Sequence, residues 1–330
     1  MKLGTLVLEN NLILAPLQEV TTAPYRRFCR MFGKIGLVSV PMLYTKRIQN
    51  NPRSILSNLY KIEKERPISV QLIGSDPIAL RESIDFLESY KFDVLDINAG
   101  CPSKRAIKAK EGGYLLNDLK KLSSLIKIAT KYSSHLVSLK VRTGFNNSDD
   151  IDKLAKIVNK SSIDFITIHA RTVKDRFDDT ALNLKAVKIL KDLSKRPVVG
   201  NGNINDPQSA KRFLDFTKVD ALMIGRGTMG NPEIFHQINR YLKEGVELVF
   251  NNNLIKMKNH IDLYEHCINN YIDENSEFPY PIERYKFMEL KRNSIWLTKN
   301  IQTSTDIRIK ISKAKSLDEL RDIFEQIFDN

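Results

Sequence analysis

Short apolar runs rich in Val and Ile recur through the first two-thirds of the chain, at 12–15, 37–40, 68–73, 94–98, 136–141, 165–169, 197–200 and 221–225. Uninterrupted apolar runs of this length predict parallel strands covered on both faces. Between them lie amphipathic stretches of helical length, at 23–32, 77–90, 117–131, 149–161, 184–195 and 206–217. Asp76 before Pro77 and Asp206 before Pro207 supply a cap followed by a proline in the first turn. Eight strand–helix units in about 230 residues match a (β/α)8 TIM barrel. A doubly wound sheet is the competitor, but its glycine-rich first turn is absent. The first turn here is Pro16-Leu17-Gln18-Glu19-Val20. Residues 2–9 alternate and predict a short hairpin strand closing the bottom of the barrel. Beyond about residue 240 the strand-like runs stop, and 252–273, 282–299 and 316–328 predict helices. The expected organisation is an α/β barrel over 1–240 and a helical domain over 241–330.

Composition narrows the function. Of 330 residues, 42% are hydrophobic and 28% charged, enough for a packed core. The net charge of +13 favours an anionic partner, although a lysine-rich proteome would produce the same surplus. Three cysteines at wide spacings, Cys29, Cys101 and Cys267, argue against a disulfide framework or a cysteine zinc site, and no cluster has metal-ligand spacing. No apolar run reaches the ~20 residues of a membrane span, and the first residues lack a signal-peptide layout. The expectation is a reduced, cytoplasmic protein with no membrane contact and no evident protein partner.

Chemistry is concentrated where a barrel enzyme keeps it, at the C-terminal ends of the strands. Gln71 lies in one run, and Asp96-Ile97-Asn98-Ala99-Gly100-Cys101-Pro102 ends the next. Leu139-Lys140-Val141-Arg142, Ile168-His169-Ala170-Arg171-Thr172, Gly200-Asn201-Gly202-Asn203-Ile204 and Ile224-Gly225-Arg226-Gly227 follow in order. Amide, ammonium and imidazole groups on successive strands suit a flat, polar, negatively charged ring. The glycine turns after the last two strands suit a phosphate, with Arg226 adding a charge-assisted contact. Each glycine turn alone is equally well a plain strand-to-helix turn. Lys140 in an apolar strand is harder to dismiss, because an unpaired buried ammonium is costly. Cys29 and Cys267 read as packing residues; Cys101, in a Gly-Cys-Pro turn at a strand end, does not.

In their order and spacing these motifs resemble the tRNA-dihydrouridine synthases, flavin enzymes with a barrel and a C-terminal helical domain. The resemblance runs from about residue 12 to about residue 300, and the Asn-x-Gly-Cys-Pro element is its most specific part. It implies an FMN-dependent reduction of specific tRNA uridines, with NADPH (or NADH) as electron donor. Pro16, Leu17 and Gln18 would then lie against the flavin. Gln71 and Lys140 would bind its ring system, His169 would lie beside it, and Asn201, Gly202, Asn203, Gly225 and Arg226 would hold its phosphate. Asn98 would position the uracil and Cys101 would donate a proton. Arg171 and Thr172 would approach the tRNA or the flavin phosphate. Arg105 would meet the RNA backbone, as would Lys291 and Arg292, whose setting before Trp296 resembles an element of the family's tRNA-gripping domain. The first turn departs from the family's usual Ala-Pro-Met-Ala-Gly-Val-Thr-Asp, with Gln18 for alanine and Glu19 for glycine. Two other readings stay open on the residues: an FMN oxidoreductase of free pyrimidines, and a non-catalytic RNA-binding barrel.

Overall fold

The structure, a computed structural model, describes residues 1–248, 250–275 and 278–328. By their contacts these form two units. One comprises Met1–Thr22 and Lys34–Gly225, the other Ala23–Gly33 and Arg226–Asn330. The compact units thus part at Gly225, not at residue 240, and the first long helix groups with the C-terminal helices.

The first unit carries the sheet. Its strands are β1 (Leu12–Leu14), β2 (Val38–Ser39), β3 (Ile68–Ile73), β4 (Val94–Ala99), β5 (Leu136–Arg142), β6 (Phe165–His169), β7 (Val198–Asn201) and β8 (Ala221–Ile224). All pair in parallel, in the order β1-β8-β7-β6-β5-β4-β3-β2. The ring closes through a bridge between Ile13 and Leu37, where Leu14 N donates to Leu37 O (2.9 Å) and Gly36 N to Leu12 O (2.9 Å). A further short segment, Leu43–Tyr44, pairs with the far end of β3. All eight expected strands are present within a residue or two of their expected limits.

Every position of β3, β4 and β6 is buried, which explains their nearly continuous apolar character. The N-terminal hairpin, Lys2–Leu3 with Leu6–Val7, packs Leu3 and Leu8 among Val94, Phe165, Val199 and Ala221. Those are first or second residues of their strands, so the hairpin seals the end of the barrel opposite the polar strand ends. Helices Pro77–Leu87 and Pro207–Thr217 begin as expected, with the Asp76 and Asp206 side chains accepting from backbone N–H groups of the first turn.

The second unit is helical: Ala23–Met31, Ile234–Glu244, Leu254–Glu274, Ile282–Leu297, Ser304–Lys313 and Leu317–Phe328. Its core is aromatic. Phe28 meets Tyr264 at 5.2 Å between ring centroids, and Tyr25 meets Trp296 at 6.2 Å, both edge to face. Among the described residues no helix is long and apolar enough to cross a membrane.

Candidate active site

Register sets the site. Gln71, Asp96 and Ser138 lie side by side across β3, β4 and β5. Two residues on, and therefore on the same face, Asn98 and Lys140 are neighbours, with Thr167 of β6 beside Lys140. Two residues further, Arg142, His169 and Asn201 align across β5, β6 and β7.

Asp96 is 4% exposed, and as a carboxylate it can only accept. It receives Ser138 Oγ (2.6 Å) and Gln71 Nε2 (2.6 Å). That fixes the Gln71 amide, whose carbonyl accepts from Asn98 Nδ2 (2.8 Å). The Asn98 carbonyl is thereby aimed at the following turn, where it accepts from the backbone N–H groups of Gly100 (3.1 Å) and Cys101 (2.9 Å). One buried charge thus orients a run of amides that ends on the Cys101 backbone. From the other side, Arg142, 1% exposed, donates to the carbonyls of Gly100 (2.9 Å), Thr172 (2.8 Å) and Arg176 (2.6 Å). It ties the Cys101 turn to the loop after β6.

Burial raises the Asp96 carboxyl above its usual range, with Ser138, Gln71 and Lys140 pulling it back. Burial lowers the Lys140 ammonium from 10.5 to about 8; Asp96 and Cys101 oppose that shift and Arg142 adds to it. Among the described residues Lys140 makes no hydrogen bond, and the buried Thr167 hydroxyl beside it also has no partner. A cation and a hydroxyl held next to each other with unused donors fit an anionic, oxygen-bearing ring edge.

The Cys101 thiol donates to Ser103 Oγ at 3.5 Å. Gly112 and Gly113 fold against this turn. Gly112 has φ +57°, and a side chain there would meet Cys101 Cβ at 3.0 Å.

His169 is 9% exposed, and its Nε2 lies 3.1 Å from Nη1 of Arg171. Arg171 can only donate, so Nε2 accepts and the proton of the neutral ring sits on Nδ1. Arg171 itself is fully buried. It also donates to Asp178 O (2.5 Å), Asp179 Oδ1 (3.1 Å) and Asn203 Oδ1 (2.8 Å). Thr172, 6% exposed, is engaged with Asp175 through its backbone N–H (2.9 Å) and its hydroxyl (3.2 Å). Both therefore also brace the loops that follow β6 and β7.

Asn201 donates to Met223 O (2.7 Å). Gly202 has φ +132°, and a Cβ there would come within 2.9 Å of Leu182 and 3.3 Å of the His169 ring. Only glycine permits that approach. Asn203, at φ +46°, is pinned by Arg171 and by its own bond to Asp179 O (3.2 Å). Gly225 closes the unit beside Leu17 and Ala15. In the first turn Thr21 accepts from Leu17 N (3.1 Å) and donates to Leu17 O (3.2 Å). Glu19 takes a left-handed φ of +59°, the conformation suited to the glycine it replaces. Pro16 and Gln18 flank Leu17 in this turn.

Arg105 is exposed on the helix after the Cys101 turn, at Lys104–Lys108. Lys291 and Arg292, in the second unit, have internal partners. Lys291 Nζ donates to Ala314 O (2.6 Å), and Arg292 pairs with Glu289, which is 4% exposed and also accepts from Tyr264 Oη. Arg226, also in the second unit, is exposed.

The fold and site define a (β/α)8 enzyme whose polar strand ends surround one ammonium and one thiol. The dihydrouridine synthase family model matches residues 13–330. The tRNA-dihydrouridine synthase B of Pseudomonas aeruginosa is 33% identical over 249 residues, 75% of this chain and 74% of that protein. That of Vibrio parahaemolyticus is 33% identical over 250 residues, 75% and 77%. A probable tRNA-dihydrouridine synthase of Rickettsia bellii is 32% identical over 248 residues, 74% and 76%. Among solved structures, a morphinone reductase variant in complex with tetrahydroNAD gives a TM-score of 0.55 at 12% identity, covering 72% of this chain and 89% of that one. Histamine dehydrogenase from Rhizobium sp. 4-9 gives 0.52 at 11%, covering 83% and 50%. These two likenesses concern the fold. The chain belongs to the dihydrouridine synthase family, and it is a flavin-dependent oxidoreductase.

Sequence reasoning gave no role to Asp96, Ser138 or Arg142, which hold the named residues in place. A charged or hydroxyl residue at an inward position of a buried strand was the available signal.

Proposed function

We propose that the protein reduces the C5=C6 bond of specific uridines in tRNA, using FMN reduced by NADPH or NADH. The observation that carries this reading is the pairing across β4 and β5. Asn98, which leads directly to the Cys101 turn, lies next to the unpartnered ammonium of Lys140. FMN, when bound, supplies the hydride that reaches C6 of uracil. Lys140 faces the anionic edge of the ring system, with Gln71 and His169 alongside and Pro16, Leu17 and Gln18 bounding it. Asn201, Gly202, Asn203 and Gly225 take the phosphate. The reading of Arg226 as a further phosphate contact rests on its place next to Gly225 in the chain.

Hydride addition leaves negative charge over C5 and O4, and a proton must reach C5. A thiol placed against C5 can give its proton to the developing carbanion. Cys101 fills that role, with its backbone fixed by Asn98 and Arg142. Asn98 also meets the uracil. Arg171 and Thr172 act indirectly, by holding His169, Asn203 and the loop after β6. The target base must leave its stack to reach the barrel mouth. Arg105 contacts the RNA backbone beside Cys101, and the helical domain, through Lys291 and Arg292, contributes phosphate contacts.

The test is nucleoside mass spectrometry on tRNA from cells lacking dihydrouridine, incubated with protein, FMN and NADPH. Dihydrouridine formation that requires NADPH is the expected result. Cys101→Ala should bind flavin normally and lose product by about 100-fold or more. Reduction of orotate in place of tRNA overturns the reading in favour of a free-pyrimidine enzyme. Binding of tRNA without flavin points to a non-catalytic barrel.

A further inference from the structure

Taking a uridine out of its stack leaves the neighbouring base without a partner on one side. A protein plane beside the site can supply the missing face. Such a plane is built next to the thiol. The Arg105 guanidinium lies over the Tyr44 ring, 3.9 Å from its centroid. Tyr44 is half-buried and Arg105 is exposed, so one face of the guanidinium rests on the ring and the other is left to solvent. Among the described residues Arg105 makes no hydrogen bond and no ion pair. The similar pair of Arg81 over Tyr132, at 3.8 Å, is already engaged, because Arg81 bonds Asp85 at 3.3 Å.

Three contacts bring the Arg105–Tyr44 pair to the site. Ser103, which accepts from Cys101 Sγ at 3.5 Å, caps the Lys104–Lys108 helix that carries Arg105 by accepting from Ala106 N at 3.2 Å. Tyr44 pairs with Ile73 at the end of β3, and a Cβ at Gly112 would lie 3.0 Å from both Ile73 Cδ1 and Cys101 Cβ. Met42, two residues before Tyr44, has its Sδ 3.7 Å from Asn98 Nδ2. The pair therefore borders the place where a uracil would meet Asn98 and Cys101. Lys46, Lys104 and Lys108, on the same two segments, are exposed cations.

We propose that Arg105, held flat by Tyr44, is a stacking shelf for the base adjoining the target uridine. The inference rests on the tRNA reading above and adds a base contact to it. The open face takes the base, and the guanidinium edge keeps its N–H donors for the phosphate joining that base to the target. Every base has a π-face, so the shelf holds the flanking nucleotide without reading its identity.

The experiment measures steady-state dihydrouridine formation by wild type, Arg105→Lys, Tyr44→Leu and Tyr44→Phe. The substrates are a synthetic tRNA and the same tRNA made abasic on the upstream or downstream side of the mapped uridine. Flavin affinity is measured on each variant to show that the site is intact. Arg105→Lys keeps the charge and loses the plane. It should raise KM about tenfold, with kcat within about twofold and the salt dependence unchanged. Tyr44→Leu should raise KM about fivefold, and Tyr44→Phe, which keeps the ring, should recover most of that. An abasic neighbour on one side should cost wild type about tenfold in kcat/KM and cost Arg105→Lys less than about twofold further. Arg105→Lys indistinguishable from wild type assigns Arg105 to phosphate alone and overturns the shelf. Equal loss from both enzymes on the abasic substrates also overturns it. If wild type forms no dihydrouridine even on native tRNA, the uridine reading fails and the shelf falls with it.

Discussion

Replacing Asn98 by alanine removes the link between the Gln71–Asp96 pair and the Cys101 turn. The side chain accepts two backbone N–H groups, from Gly100 at 3.1 Å and Cys101 at 2.9 Å, and donates to Gln71 at 2.8 Å. Gly100 is buried, and Asn98 itself is 7% exposed. Each lost neutral hydrogen bond is worth about 1 kcal/mol net, and a buried donor left unsatisfied costs about 1–3 kcal/mol. Cys101 is half-exposed, so water can replace the bond to its N–H but not the one to Gly100. The expected loss is therefore about 2–4 kcal/mol. Urea unfolding of the flavin-free protein measures it as a shift in midpoint at constant m. Because Asn98 and Gln71 share a bond, the double variant Gln71→Ala/Asn98→Ala should be less destabilised than the sum, with a coupling of about 1 kcal/mol. A loss under about 1 kcal/mol, or strict additivity, refutes the reasoning that one oriented run of amides supports the turn.

Lys140 makes the pH dependence specific. Its fold-state value of about 8 lies below the ordinary 10.5, so between these values the unfolded chain binds more protons and stability rises with pH. Urea midpoints of flavin-free protein should climb across that window, and Lys140→Met should flatten the climb. Glu19→Gly removes a non-glycine residue from φ +59° at the expense of a more flexible unfolded chain, so it should leave stability unchanged or raise it by up to about 1 kcal/mol, whereas Glu19→Val should destabilise. Thermal melts decide between them. Arg292→Ala leaves Glu289 buried without its cation and should cost about 3 kcal/mol by urea titration, separate from any loss of tRNA affinity.

The strands were legible because runs such as 68–73 and 165–169 are buried on both faces, and so are apolar throughout. Helices Thr45–Asn50 and Lys104–Lys108 were not, since five or six mostly polar residues carry no helical period. Ile234–Glu244 and Ser304–Lys313 were passed over as well. At the site, sequence order brought Gln71, Asn98, Cys101, Lys140 and His169 into view because each ends or punctuates a strand. What it could not convey was the network around each residue: the Arg171 guanidinium also bonds His169, Asn203, Asp178 and Asp179. Lys291 and Arg292 likewise each bond one internal partner, Ala314 and Glu289, set by packing of the helices.

The helix Ala23–Met31 has a consequence for how the protein is made. It leaves the ribosome among the first segments, but its compact unit is completed only by Arg226–Asn330. Its Tyr25, Phe28 and Cys29, each at most 2% exposed in the fold, must wait for Tyr264 and Cys267 to be synthesised. At about 5–20 residues per second that wait lasts on the order of ten to fifty seconds. During it, a greasy helix is tethered to a nascent barrel with its true neighbours still unborn. Messages truncated after the barrel would leave that helix permanently orphaned, so chaperone capture of such fragments should depend on the faces of Tyr25 and Phe28.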